Sequence, residues 1–251
     1  MSVRLFTVLW LVGLMGIISL WWMELPIPPD HALQVPLWAL KLLSLIQPTL
    51  LLTIAVWLGV ALAHRVGLSA PVAEAIARGI SLKLAMQPQV VPGMVGGLVG
   101  GVLLLAIQLG ARFVLPPDFV AKAEALAGNT SFATRILYGG VTEELLLRWG
   151  VMTLLVWLGW RIFAKGHGKP TPSYFVAAIA LSSLLFGLGH LPLAFSLGTS
   201  VTASVIVYVV IANAVFGFIA GYLYWHKGLE SAMLAHMLVH VVLVTAGLFA
   251  R

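Results

Sequence analysis

Two adjacent glutamates, Glu143 and Glu144, lie in the run Leu137-Tyr138-Gly139-Gly140-Val141-Thr142-Glu143-Glu144-Leu145-Leu146-Leu147-Arg148-Trp149-Gly150, with membrane-grade hydrophobicity on both sides. An ionised carboxylate in the middle of a spanning helix costs about 2.5–3.5 kcal/mol on insertion scales. A chain keeps such groups when they are paired or when they carry the function. Neighbouring helical residues point roughly 100° apart, so the two carboxylates are not expected to share one task. Residues four apart face each other, which couples Glu144 to Arg148. The division that follows is structural for that pair and chemical for Glu143. The simpler alternative is a buried ionic staple made by all three.

Three histidines join them. His190 ends the stretch Phe186-Gly187-Leu188-Gly189-His190-Leu191-Pro192, where Pro192 removes a backbone donor, so the imidazole sits near a helix end. By itself it reads as a cap or as a hydrogen-bonded core histidine. His236 and His240 are four apart on one helical face, a spacing that lets two imidazoles converge on one ligand. The residue after His236 is Met237, so the zinc-protease motif with its built-in glutamate base is absent, and interhelical hydrogen bonding remains a plain alternative. In combination, three embedded histidines and what reads as the only two embedded acids mark a functional site, since ionisable groups within a membrane are functional candidates by default. Asn213 is a weaker addition.

The elements that position these residues are apolar helices. The chain has 251 residues, is 61% hydrophobic and only 9% charged, and contains nine tryptophans. Soluble domains carry about 25% charged residues, so the composition selects an integral membrane protein. A span needs about 20 apolar residues, and seven stretches qualify: roughly 5–23, 37–63, 90–115, 133–163, 173–190, 199–225 and 229–249. The expected fold is an all-α polytopic bundle of about seven transmembrane helices, within six to eight. The first stretch is long for a signal peptide and no small-x-small site follows it, so it reads as a retained span. The segment near 70–85 carries Glu74, Arg78 and Lys83 among apolar residues and reads as an interfacial amphipathic helix. Pro26-Ile27-Pro28-Pro29-Asp30 and Pro116-Pro117-Asp118 read as breaks between spans. Gly93, Gly97 and Gly101, like Gly217 and Gly221, have the four-residue spacing of a close packing face.

The net charge of +6 comes mostly from Lys and Arg at span ends. That suits membrane lipids with anionic head groups and topology better than nucleic acid. His64-Arg65, Arg161, Lys165, Lys169 and Lys227 favour the cytoplasm, while Glu24, Asp30 and Asp118 favour the other side, which puts the N-terminus inside. No cysteine is present, which removes disulfides, thiolate catalysis and Cys-ligated metals. No repeated halves of the transporter kind are visible.

Glu143-Glu144-x-x-x-Arg148, Phe186-x-x-x-His190 and His236-x-x-x-His240, in that order on successive apolar segments, resemble the signature of the CPBP (Abi) family, intramembrane proteases related to the type II CAAX prenyl endopeptidase. The resemblance covers roughly residues 130–250, which suggests N-terminal helices over 1–129 and a catalytic core over 130–251 within one membrane domain. It implies peptide hydrolysis without a covalent intermediate. Glu143 would act as general base on water, His190 would position that water, and His236 and His240 would stabilise the oxyanion. Glu144 with Arg148 would orient the helix. Where the family often has asparagine, this chain has His240, so activity is expected to show added pH dependence near neutrality. Family members have been described both as metalloproteases and as metal-independent glutamate proteases. Zinc held by Glu143, His190 and His236 is one reading, and the metal-independent mechanism is slightly favoured.

The substrate class implied is a membrane-proximal or lipid-modified peptide or protein in a prokaryotic cytoplasmic membrane. Two alternatives stand beside it: a proton-coupled transporter using the same buried residues as a relay, and a non-catalytic membrane scaffold or immunity protein. Geometry adds a condition. His190 and His236 start from opposite membrane faces, so they meet only near mid-depth or through an intramembrane loop at 191–198, and a hydrated cavity must reach them.

Overall fold

A computed structural model describes residues 2–23, 35–197 and 200–249, and within these the chain is helical with no strand. Glu24, Asp30 and the Pro26–Asp30 break lie outside the described residues. We label the helices α1 (Val3–Ser19, extended by a 3-10 turn at Leu20–Trp22), α2 (Leu37–Val66), α3 (Pro71–Arg78), α4 (Leu82–Ala111), α5 (Pro117–Asn129), α6 (Phe132–Phe163), α7 (Pro172–Gly189), α8 (Leu191–Ser196), α9 (Ala203–His226) and α10 (Leu229–Phe249). Seven helical segments are long and apolar enough to cross a membrane: α1 with its turn, α2, α4, α6, α7 continued by α8, α9 and α10.

Local chemistry sets the ends. Ser2 caps α1 by accepting the Leu5 N–H at 3.3 Å, and Gly67 closes α2 in the left-handed conformation. The amphipathic helix occupies Pro71–Arg78 only, because Gly79 at φ +68° stops it. Leu82 then opens the third span, eight residues before the apolar pattern suggests. Pro116-Pro117-Asp118 is a helix start as well as a break: Pro117 needs no N–H in a first turn and Asp118 suits the positive helix end.

Contacts fix which helix ends share a face. Arg4 on α1 and Arg78 on α3 line one cavity, and His64 near the end of α2 is 3.6 Å from Glu74. Pro71 abuts Gly228, just before α10. Antiparallel connection then places Arg161, Lys165 and Lys169 at this same basic end, and α5 and α8 at the opposite one. Thus the cations assigned to the cytoplasm from sequence do share one end.

Two helix pairs are drawn together by glycine. A Cβ on Gly97 would lie 2.7 Å from the Ala235 carbonyl oxygen, and one on Gly101 would lie 2.8 Å from Val242, so α4 presses on the back of α10. Gly217 likewise brings α9 within reach of Ser183 on α7. These are the packing faces expected from the spacing.

One helix departs from α geometry. Arg135–Thr142 and Leu145–Met152 are π-helical, flanking Glu143 and Glu144. Such long π stretches are unusual, since π turns mostly occur singly and often at functional sites. Outside contacts support this one. Thr142 donates to the Gly13 carbonyl of α1 at 2.8 Å, Thr153 bonds Tyr224 of α9 at 2.7 Å, and a Cβ on Gly16 would overlap the Leu137 carbonyl.

Candidate active site

Glu144 and Arg148 are fully buried and face each other, with Oε2 to Nε at 3.3 Å. Arg148 also donates from Nη2 to the Gly217 carbonyl at 3.0 Å, and its guanidinium lies 5.2 Å from the centre of the Phe186 ring. A buried charge is tolerated when it is paired and hydrogen-bonded, and α6, α7 and α9 supply those partners together.

His236 closes the cluster from α10. Its Nδ1 is 2.8 Å from Glu144 Oε1 and its Nε2 is 4.0 Å from Glu143 Oε2. An ionised carboxylate only accepts, so the proton sits on Nδ1 and Nε2 is turned toward Glu143. Both carboxylates thus border a single imidazole, Glu144 through a hydrogen bond and Glu143 at the longer distance. Their exposures differ: the Glu143 side chain keeps 17% of its surface accessible and Glu144 keeps none.

His240 lies one turn along α10, its ring 5.0 Å from that of His236 and nearly parallel to it. It rests against Gly139, where a Cβ would collide with Nε2. Both ring nitrogens of His240 are shielded and have no hydrogen-bond partner. An imidazole left this way in a packed interior is costly unless something else occupies its nitrogens during function.

His190 ends α7, with Nδ1 2.8 Å from the Phe186 carbonyl. A carbonyl only accepts, so Nδ1 carries the proton and Nε2 is an acceptor. No hydrogen bond or ion pair joins His190 to Glu143 or His236. Phe186 stands between the imidazoles, with ring centres 4.8 Å from His190 and 6.0 Å from His236. The region after His190 is the short helix α8 rather than the intramembrane loop considered from sequence, because Pro192 falls in its first turn, where no N–H is needed. Asn213 spends its amide on the Val209 carbonyl at 2.8 Å and stays out of the cluster.

Among the described residues, no group of three or more His, Asp or Glu is arranged to hold a metal ion. Glu143, His190 and His236 as placed therefore do not fit zinc.

Sequence reasoning missed Glu230. Beside Glu144 it is the second buried acid among the described residues, 9% exposed, in the first turn of α10. Its Oε1 accepts the N–H groups of Val72 and Ala73 at 3.0 and 2.9 Å, which ties the start of α3 to the helix bearing His236. The available signal was its place three residues after the cation Lys227, at the head of an apolar run.

Fold and cluster together define a polytopic helical membrane protein with carboxylates and imidazoles gathered inside its bundle. Residues 128–242, just under half of the chain, match the family described as type II CAAX prenyl endopeptidase Rce1-like. All three motifs fall within that span, and the chain is related to the CPBP family through it. The relation implies CAAX-type intramembrane protease activity. No curated protein and no solved structure matches the chain.

Proposed function

We propose that the chain is an intramembrane endopeptidase in which Glu143 activates water against a membrane-proximal peptide bond. The observation that carries this is the bracketing of His236 by Glu143 and Glu144, with Glu144 locked in turn by Arg148. Only the carboxylate left accessible, Glu143, is free to meet a water. It takes a proton from that water as the oxygen attacks the carbonyl carbon, and the carbonyl electrons move onto the oxygen. His190 Nε2, an acceptor, orients the water by its other proton. His236, when protonated at both nitrogens, keeps Nδ1 on Glu144 and donates from Nε2 to the oxyanion, and His240 adds its one N–H, which has no other partner. Collapse expels the amine, which takes the proton from Glu143. Glu144 acts through His236, fixing its tautomer and aim.

Purified protein incubated with a panel of fluorogenic peptides tests this. Cleavage by the native chain that falls by about 10²–10⁴ in Glu143→Gln supports a general-base role. Unchanged cleavage in that variant overturns it. A chelator arm addresses metal dependence separately, and peptides with and without a prenyl group address the substrate.

A further inference from the structure

We infer that the cavity between α1 and α3 is a binding site for one anionic glycerophospholipid, its phosphate held between Arg4 and Arg78 and an acyl chain laid along α1. None of the residues lining this cavity belongs to the cluster around Glu143.

The first observation is the cavity itself. It holds about 430 Å³, within the range of about 300–1,000 Å³ usual for small-molecule sites. Val3, Thr7 and Leu11 line it from α1 at four-residue spacing, so they form one stripe along a single helix face. At 1.5 Å per residue that stripe runs about 12 Å inward from the basic end. The Thr7 hydroxyl is spent on the Val3 carbonyl at 3.0 Å, which leaves the stripe without a free donor. Ile76 of α3 faces the same space. The α3 wall is fixed in place, because the Val72 and Ala73 N–H groups are held by Glu230 of α10.

The second observation is charge. Arg4 and Arg78 are the only charged residues lining the cavity, and no carboxylate stands on its wall. Among the described residues Arg4 has no ion pair. Arg78 lies 3.6 Å from Glu74, too far for a good hydrogen bond. Glu74 is also occupied elsewhere, accepting the Ala70 N–H at 3.1 Å and lying 3.6 Å from His64. Two guanidiniums bordering one space repel each other until an anion joins them, and the planar fork of arginine matches phosphate oxygens in pairs. Basic pockets between membrane helices hold phosphate head groups for this reason.

Charge and stripe together select a lipid over a free phosphate, since a free phosphate would meet the arginines and leave the apolar stripe uncovered. Val3 also borders a second cavity of about 290 Å³, lined by Phe6 of α1 and by Ile54 and Trp57 of α2. Its one polar residue is Thr53, whose hydroxyl already accepts from Trp10 Nε1 and donates to the Thr49 carbonyl. This second space therefore takes only an apolar group. A lipid seated on the arginines can place its second chain there, across Val3.

Native mass spectrometry of the purified protein, titrated with phosphatidylglycerol against phosphatidylcholine, tests the site. Arg4→Gln and Arg78→Gln each remove one cation from an exposed position, so the fold is not at stake. Lys169→Gln removes a cation from the same end of the bundle but outside the cavity, and Leu11→Trp fills the apolar channel. The native chain should retain phosphatidylglycerol in preference to phosphatidylcholine. Each arginine variant should weaken that retention about fivefold, Leu11→Trp should weaken it as well, and Lys169→Gln should leave it unchanged. Equal losses in Lys169→Gln and the arginine variants would reduce the effect to diffuse surface charge and overturn the site, as would full retention in both arginine variants. Unchanged retention in Leu11→Trp overturns the path of the chain. Displacement of the lipid by an equal concentration of glycerol 3-phosphate overturns a lipid occupant in favour of free phosphate. No readout depends on turnover, so a failure of the protease reading shows separately, as lack of cleavage.

Discussion

Arg148→Met leaves the Glu144 carboxylate buried with no cation beside it. The native guanidinium stands 3.3 Å from Glu144, donates to the Gly217 carbonyl at 3.0 Å, and has no exposed surface through which water could replace it. Removing one partner of such a pair costs about 3–5 kcal/mol, because the remaining charge stays buried and uncompensated. Glu144→Gln strands the guanidinium at a similar cost, yet its amide oxygen still accepts from His236 Nδ1. The double variant keeps that hydrogen bond and leaves no charge behind. It should therefore be no less stable than either single variant, giving a coupling energy of about 3 kcal/mol or more. Reversible unfolding of the four proteins in one lipid–detergent mixture measures this. Additive losses, or a loss below about 1 kcal/mol for Arg148→Met alone, would refute the buried-pair argument.

Two further outcomes follow from His240. Gly139→Ala places a methyl group where the His240 ring now lies, so the ring must move; overpacking of this kind costs about 1–3 kcal/mol in the melting equilibrium. If His240 is an oxyanion donor, cleavage well below the melting temperature should drop by about 10²–10³, and a variant that melts lower but cleaves normally would remove that role. His240→Asn should keep activity because its amide N–H can still donate to an oxyanion, whereas His240→Leu should cleave about 10²–10³ more slowly; equal rates in the two variants would discard the donor role of His240.

The seven spans were legible because a membrane helix writes itself as a long apolar run, and the glycine rows at 93–101 and 217–221 were legible because close approach needs a missing side chain. The motif residues were legible as exceptions to apolarity. What the sequence hid was three-dimensional. Leu82 and Lys83 look like an interfacial tail but begin α4, because the decision lies in Gly79 just before them. Glu230 looks like a head-group residue at a span end, and only its two bonds to the start of α3 show why it is buried. The contact between Glu144 and His236 joins residues 92 positions apart, which no local pattern encodes.

Two consecutive glutamates border one imidazole although Glu143 and Glu144 themselves hold α-helical dihedrals between the two π-helical stretches. Their side chains therefore leave the helix about 100° apart. The imidazole completes the fit, since its two nitrogens point in different directions from one ring: Nδ1 takes the buried carboxylate and Nε2 addresses the accessible one. Supporting the wide turns requires bonds from outside α6, and Thr142 to Gly13 and Thr153 to Tyr224 supply them at either end. The helices α1 and α9 therefore belong to the site's geometry although they contribute no carboxylate or imidazole to it. Relaxing α6 to ordinary α geometry would swing Glu143 or Glu144 away from His236 even with every site residue intact.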